Sequence, residues 1–426
     1  MPRQKIFFYC DRAMAACLGA AVFCLPFAKA AIEAFVWLAV FVWLLKRALG
    51  FRSDAVFGML PRTEMNRALG VLAAACVLST LFSVDHGLSL RGLFGKELKF
   101  LAIYFILAEV IIDKKRLGVI LGMMVASAAL MIADAGAQYF GGRDFLRGLP
   151  LWGGGSRLTA SFSFPNAFAG WLAPMIPLFT GLTVLELPKK KILRPLLLAG
   201  IACLIAALVL TYSRGAWLGV AAGLTLMAGY AVLKAHRKLK IVIIMVLACL
   251  GLLYLLLPQP VRSTIKAKGR FDEVGPLAKQ TFGVLTQKDG VSESVRVNYL
   301  KESLQIIKDY PVFGCGLNTY TKVVQRYKLL ETSGAYPHNS FLQKTAETGL
   351  VGLGAFLGVL AVFFKTGFSY LGRQRDPLVL GLLAGTFAFC VHSFFDNHLY
   401  SLQLAVLFWF LLGLTGAVLR IMGVKT

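Results

Sequence analysis

The sequence predicts an all-α, polytopic helical membrane protein of about twelve transmembrane helices, with a large helical loop before the tenth. Hydrophobic residues make up 58% of the 426 residues and charged residues only 15%, a balance unsuited to a soluble chain of this length. The apolar runs continue for about 17–25 residues, which matches the length that crosses about 30 Å of hydrocarbon. They lack the alternating pattern of membrane β-barrel strands, so helices are predicted.

The predicted spans lie at 11–28, 31–49, 67–83, 98–112, 117–139, 165–185, 193–212, 215–233, 240–257, 349–371, 377–395 and 399–419. They divide the chain into residues 1–257 with nine spans, a loop domain at 258–348, and residues 349–426 with three spans. The first span also resembles a cleavable signal peptide that ends near Ala28-Lys29-Ala30. We favour an uncleaved helix, because a second apolar span follows almost at once.

Basic residues indicate the orientation of the spans. Alternate connections carry most of the lysines and arginines, as at 189–194 and 234–240, whereas the short connections of the other set carry few. Basic connections are usually cytoplasmic, so both termini are expected in the cytoplasm and the 258–348 loop on the outer side. The formal net charge of +24 therefore reflects membrane orientation, and nucleic acid is not an expected partner.

The loop contains two helix signals. Val297, Leu300, Leu304 and Ile307 recur at spacings of three and four, which predicts an amphipathic helix with those residues on its apolar face. A second helix is predicted to begin after His338, because Ser340 and Gln343 form a capping-box pattern. His338 would then lie at a fixed joint just above the membrane.

Small residues predict where spans pack closely. Glycines repeat every four residues at Gly215, Gly219 and Gly223, at Gly354 and Gly358, and at Gly381 and Gly385. Such repeats are typical of contacts between membrane helices. Asp134 lies within the fifth span and is expected to face the bundle interior.

Three residues on the outer side are candidates for chemistry. Arg214 opens the eighth span, and a helix N-terminus beside a guanidinium suits a phosphate. Arg296 lies near the start of the loop helix, and His338 has an imidazole that can accept a proton near neutral pH. Plainer interpretations stand beside these: Arg214 snorkels to the interface, and the other two are solvated surface residues.

Metal and nucleotide chemistry have little support. His392, Asp396 and His398 flank the turn between the last two spans, but no metal-binding motif accompanies them. The sequence has neither a phosphate-binding glycine loop nor an Asp-x-Asp pair. No cofactor is expected, and an activated sugar would arrive already attached to its carrier.

The chain resembles the O-antigen ligase/polymerase superfamily of bacterial inner-membrane glycosyltransferases, which use polyprenyl-linked donors. The segments that carry the resemblance are Thr211-Tyr212-Ser213-Arg214-Gly215-Ala216-Trp217, residues 294–316 ending in Gly314-Cys315-Gly316, and Tyr336-Pro337-His338-Asn339-Ser340-Phe341 through Gly352. Arg157 with Phe164-Pro165-Asn166 resembles a further family segment. Together these segments span residues 150–365.

The resemblance implies a role for each site residue. Arg214 and Arg296 would bind the pyrophosphate of the donor, and His338 would deprotonate the acceptor hydroxyl. Transfer would be one inverting displacement that needs neither metal nor ATP. Further substrate-binding positions are expected at Arg157, Asn166, Asn339 and Asp396. The active site would face the periplasm.

Several functions share this pattern. The leading hypothesis is an O-antigen ligase that moves a polysaccharide from undecaprenyl pyrophosphate to lipid A–core. An O-antigen or exopolysaccharide polymerase would use the same donor and a glycan acceptor, and a protein O-oligosaccharyltransferase would use a protein. A lipid or glycan transporter is a hypothesis of another class, but transporters tend to carry charges at mid-bilayer, and Asp134 is the main such charge here.

Overall fold

The helices of this protein are described by a computed structural model that covers residues 3–50, 60–155, 157–184, 193–234, 290–329 and 336–423. The early ones are α1 (Arg3–Cys24), α2 (Lys29–Gly50), α3 (Asn66–Leu81), α4 (His86–Gly92), α5 (Lys99–Val110) and α6 (Lys114–Gly141). The later ones are α7 (Pro165–Val184), α8 (Leu193–Leu210), α9 (Arg214–Lys234), α10 (Gly290–Asp309), α11 (Ser340–Arg373), α12 (Pro377–His392) and α13 (Leu402–Ile421). A π-helical turn at Leu93–Leu98 joins α4 to α5.

The helical fold class is confirmed, and no β-strand occurs in these ranges. Five described helices are long and apolar enough to cross a membrane, namely α1, α6, α9, α11 and α13. Helices also coincide with the other predicted spans except 240–257, which lies outside the described residues. The count of twelve spans stays a prediction.

Helix packing places the ends of α7, α9, α12 and α13 near one another. In the described residues α12 packs on both α7 and α9, α13 packs on α5, and α3 packs on α11. Trp171 of α7, Phe389 of α12 and Phe408 of α13 are fully buried. These contacts bring the two ends of the α12–α13 turn against α7 and α9.

Two of the three predicted glycine repeats are close-packing seams. A Cβ added at Gly219 would lie 2.6 Å from the carbonyl oxygen of Ala388, and one at Gly385 would lie 2.5 Å from that of Pro174. At Gly354 and Gly358 a Cβ would meet no described residue within 4 Å, so the part of the chain that the structure describes shows no seam there. Spacing alone does not tell which face of a helix has a neighbour.

A helix is present at the predicted loop position as α10, but most of its predicted apolar face is exposed. Val297, Leu300 and Leu304 are exposed, whereas Glu302 and Ser303 are fully buried. The Ser303 hydroxyl lies 2.7 Å from the Tyr320 hydroxyl, and Glu302 accepts a hydrogen bond from the Leu329 amide. Hydrogen bonds to the following segment therefore decide which face packs inward, which apolar spacing does not detect.

Helix α11 begins after His338 as predicted, but the capping residue is Asn339. Its Oδ1 accepts a hydrogen bond from the Leu342 amide, so the predicted Ser340 capping box is wrong. The helix is interrupted at Gly349, where φ is +65° and a Cβ would lie 2.1 Å from the Val312 carbonyl oxygen. The Leu350 amide donates to the Pro311 carbonyl oxygen at 2.8 Å. The break thus joins the loop to the membrane helix.

Candidate active site

His338 and Asp396 meet where the start of α11 contacts the α12–α13 turn. His338 Nδ1 lies 3.2 Å from Asp396 Oδ1. The Ser340 hydroxyl donates to the Asp396 carbonyl oxygen at 2.9 Å, and the Ser340 amide donates to the Ser393 carbonyl oxygen at 2.8 Å. The side chain that the capping prediction assigned to α11 therefore fixes the opposite turn instead.

Strained backbone is concentrated around this contact. Among the described residues other than glycine, φ is positive at His338 (+49°), Tyr212 (+52°), Ala160 (+46°) and Asn318. Asparagine tolerates this left-handed conformation, whereas the other residue types adopt it at a cost. Such conformations cluster at functional sites. Those at His338, Tyr212 and Ala160 fall in or beside the segments that carry the family resemblance.

The charge on Asp396 is stabilised by its neighbours. Burial by itself would raise the pKa of this carboxyl group, but the hydrogen bond with His338, the nearby His398 and the Asn397 amide together hold the pKa well below its usual range. Asp396 is therefore a carboxylate at neutral pH and can accept the His338 Nδ1 proton. That hydrogen bond leaves Nε2 as the basic nitrogen of the ring.

His398 is a buried neutral histidine behind this pair. Burial lowers its pKa to about 4, although the Asp396 carboxylate opposes the shift. Its ring centroid lies 4.1 Å from that of His392, which is also fully buried. The His392 Nε2 lies 3.3 Å from the Ser213 hydroxyl, just before α9. The turn is thereby linked to the segment that precedes Arg214.

A cavity of about 640 Å³ opens beside His338 and Asp396. Arg157 and Asn166 also line it, so the structure brings together four of the residues that the sequence singled out. Aromatic side chains at its wall include Trp152 and Phe164, whose ring centroids are 5.1 Å apart. The wall therefore combines flat apolar rings with a guanidinium, an imidazole and a carboxylate, a mixture of apolar and polar groups that is typical of binding pockets.

Arg157 spans two segments of the site. Its Nε donates to the Thr211 carbonyl oxygen at 2.8 Å, and its Nη2 donates to Asn166 Oδ1 at 3.1 Å. The Leu158 amide donates to the Leu210 carbonyl oxygen at 2.9 Å. The planar guanidinium thus holds the start of α7 against the segment that leads to Arg214.

The other predicted site residues occupy different positions. Arg214 is exposed, outside the cavity wall, as the first residue of α9. The next residue packs against the α12–α13 turn, since a Cβ on Gly215 would lie 2.6 Å from Phe395 Cβ. Arg296 lies within α10, but its side chain falls outside the described part of the chain. Asn339 uses its side-chain oxygen as the α11 cap.

Tyr299 is a site residue that the sequence did not single out. Its buried ring lies 5.6 Å from the His338 ring between centroids, at an interplanar angle of 34°. Tyr299 follows Arg296 by three residues in α10, so the loop helix contacts His338 at this point. The sequence signal that could have identified Tyr299 is its position in the same segment as Arg296.

A buried chain of polar side chains extends from the site beneath the loop. Asn397 Nδ2 donates to Gln343 Oε1, and Gln343 Nε2 donates to Glu347 Oε1 at 3.3 Å. Glu347 also accepts hydrogen bonds from the amides of Asn318 and Tyr320. The segment at 316–320 is therefore connected to the turn that holds Asp396.

The metal interpretation of His392, Asp396 and His398 can be compared with the geometry. Within the residues that the structure describes, no three His, Cys, Asp or Glu side chains are grouped so that they could hold a metal ion. The two imidazoles stack edge to face, and Asp396 is hydrogen-bonded to His338. His392, Asp396 and His398 are therefore held in place by contacts with neighbouring side chains.

The fold and the site define a helical membrane protein with a histidine–carboxylate pair beside an amphiphilic cavity. Residues 199–357 match the family model described as O-antigen ligase. This part of the chain is therefore similar to the O-antigen ligase family. A search of the curated proteins found no match. The matched region runs from α8 through the start of α11 and includes Arg214, Arg296 and His338.

Proposed function

We propose that this protein is an O-antigen ligase, which transfers a polysaccharide from undecaprenyl pyrophosphate to lipid A–core at the periplasmic face of the bacterial inner membrane. The family match supports a role in glycan transfer. The observation on which the proposal chiefly rests is the 3.2 Å contact between His338 Nδ1 and Asp396 Oδ1 at the wall of the 640 Å³ cavity. A carboxylate-oriented imidazole is suited to activating a hydroxyl group.

His338 acts as the general base. Its Nε2 takes the proton from an acceptor hydroxyl, while Asp396 holds Nδ1–H and stabilises the imidazolium that forms. The acceptor oxygen bonds to the anomeric carbon as the bond between that carbon and the phosphate oxygen breaks. The electron pair leaves with the undecaprenyl pyrophosphate, and the configuration at the anomeric carbon inverts.

Arginines stabilise the departing pyrophosphate without a metal ion. Arg214 at the N-terminus of α9 and Arg296 of α10 supply guanidinium groups, which bind phosphate oxygens in pairs. Arg157 maintains the position of the Arg214 segment through Thr211 and donates to Asn166 at the cavity wall. Hydrogen-bond donors that are already in position stabilise the negative charge that develops on the leaving group.

Reconstitution with one donor and separate acceptors tests this proposal. The purified protein is placed in liposomes with undecaprenyl-pyrophosphate-linked glycan and, in parallel, lipid A–core, free glycan or an acceptor protein. We expect glycan on lipid A–core alone. Transfer to free glycan would make the protein a polymerase, and transfer to protein would make it an O-oligosaccharyltransferase.

Two additions to this assay test the mechanism. His338→Ala should insert normally and lose transfer, and near-normal activity of this variant would exclude the general-base role. EDTA should leave the rate unchanged, whereas strong inhibition that Mg²⁺ reverses would contradict the metal-free mechanism. Movement of intact donor across the bilayer without transfer would indicate a transporter.

A further inference from the structure

A basic groove lies at the end of α11 opposite to His338. It encloses about 470 Å³ between α3, α11 and the end of α13, and its cations are Arg67, Lys365 and Arg373. Glu64 is its only acidic lining residue among those that the structure describes. The groove therefore carries a net positive charge.

The groove and the candidate active site lie toward opposite ends of α11. The stretch of α11 from Gly349 to Arg373 is about 36 Å long at 1.5 Å per residue. This length exceeds the hydrocarbon thickness of about 30 Å. A molecule in the groove therefore belongs to the other leaflet from the one that His338 faces.

The groove cations differ from other cations at the same end of the bundle. Lys46 contacts Asp11 at 2.5 Å and Glu109 at 2.6 Å, and the Arg375 guanidinium donates to the Lys234 carbonyl oxygen. Arg67, Lys365 and Arg373 are exposed, and none of them forms a hydrogen bond or ion pair within the described ranges. The N–H groups of these three side chains donate to no acceptor in the described ranges, so they can bind an anion.

The groove continues into apolar surface. A small cavity of about 30 Å³ shares Glu64 and Thr366 with it and is lined by apolar side chains such as Phe363 and Leu412. Val362 and Ala68 also line the groove. Along α11 the same face continues through Gly358, where a Cβ would meet no described residue within 4 Å. A chain of methylene groups could therefore extend from the groove along α11.

We propose that this groove binds the headgroup of an anionic phospholipid of the leaflet opposite to the candidate active site. Arg67, Lys365 and Arg373 bind the phosphate, and the acyl chains lie against the apolar surface of α3 and α11. Basic pockets between membrane helices suit such headgroups. The combination of three cations with an adjoining apolar face favours a lipid over a free phosphate ion. This site is independent of the proposed glycan transfer.

Titration of the full-length protein in detergent tests the site. The probes are phosphatidylglycerol and phosphatidylcholine, and binding is measured by native mass spectrometry. We expect the variant with Arg67→Gln, Lys365→Gln and Arg373→Gln to bind phosphatidylglycerol at least about tenfold more weakly, since each juxtamembrane cation contributes measurably to anionic lipid binding. Binding of phosphatidylcholine should not change.

A control variant that loses the same charge elsewhere distinguishes a specific site from general attraction of anionic lipid to the basic surface. Lys5, Lys114 and Lys115 are exposed, precede or begin helices at the same end, and do not line the groove. Replacing these three with Gln removes the same charge and should leave phosphatidylglycerol binding within about twofold of wild type. An equal loss in both triple variants would overturn the proposal.

Two further arms test the shape of the ligand. Ala68→Trp fills the groove without changing its charge and should weaken phosphatidylglycerol binding as the triple variant does. Glycerophosphoglycerol and inorganic phosphate carry the anion without acyl chains and should compete poorly. Full competition at concentrations equal to that of the lipid would identify a small-anion site and contradict the lipid assignment.

Discussion

Asp396 Oδ1 lies 3.2 Å from His338 Nδ1, although the two residues are 58 positions apart in the sequence. The turn that carries Asp396 is held by the Ser340 hydroxyl, two residues after the histidine. The orientation of the proposed base therefore depends on the last helical hairpin of the chain.

Replacing Asp396 with Asn should separate orientation from binding. The amide no longer offers a charged acceptor to Nδ1–H, so we expect kcat to fall about a hundredfold or more while KM for the donor changes little. Both kcat and KM are measured with the reconstituted protein at several pH values. A purely structural role would lower the amount of folded protein and leave kcat per folded molecule unchanged.

Arg157 should tolerate neither alanine nor lysine. A lysine cannot make the two directed hydrogen bonds to Thr211 and Asn166, so both variants should raise KM for the donor by about tenfold. Arg143 is a suitable control, since it is exposed and its guanidinium, within the described residues, donates to the nearby Gly148 carbonyl oxygen. If Arg157→Lys matched wild type, charge alone would explain this position.

Gly349 and Gly354 lie in one helix and should respond oppositely to alanine. At Gly349 the positive φ and the 2.1 Å approach to the Val312 carbonyl oxygen should lower the free energy of unfolding by about 2 kcal/mol or more. At Gly354 the Cβ of alanine would meet none of the described residues, so the free energy of unfolding should stay unchanged or rise by up to about 1 kcal/mol. Thermal denaturation in detergent gives the comparison, and equal shifts would contradict the strain at Gly349.

Stability should fall in mild acid because of His398. Its pKa is lowered to about 4, so between pH 6.5 and 4 the unfolded chain binds a proton that the folded chain does not. We expect His398→Gln to remove a pH-dependent loss of up to about 3 kcal/mol over that range. Unfolding midpoints at several pH values provide the measurement. A variant with the same pH dependence as wild type would exclude this origin.

Much of the fold follows from hydrophobic length. The apolar runs predicted α1, α6, α9, α11 and α13, and the structure has helices at each position. Spacing was less informative about contacts, because a period of four residues describes a face and not its neighbour. Gly219 packs against Ala388, whereas a Cβ on Gly358, with the same spacing, would meet no described residue within 4 Å.

The site was less predictable than the helices. His338 and Arg157 were noticed because polar residues stood out near span ends and in short motifs. Tyr299 and Gln343 gave no such signal, since their contacts join residues that are remote in sequence. The prediction that Ser340 caps α11 was wrong because its hydroxyl makes a contact with a residue remote in sequence. It donates to the carbonyl oxygen of Asp396.

The position of Asp396 also constrains how the protein becomes active during synthesis. The carboxylate lies between α12 and α13, so it reaches His338 only when the last two helices have entered the membrane. On the proposed function, a chain without its last two helices would carry the proposed donor-binding residues Arg157 and Arg214 but would lack the carboxylate that orients His338.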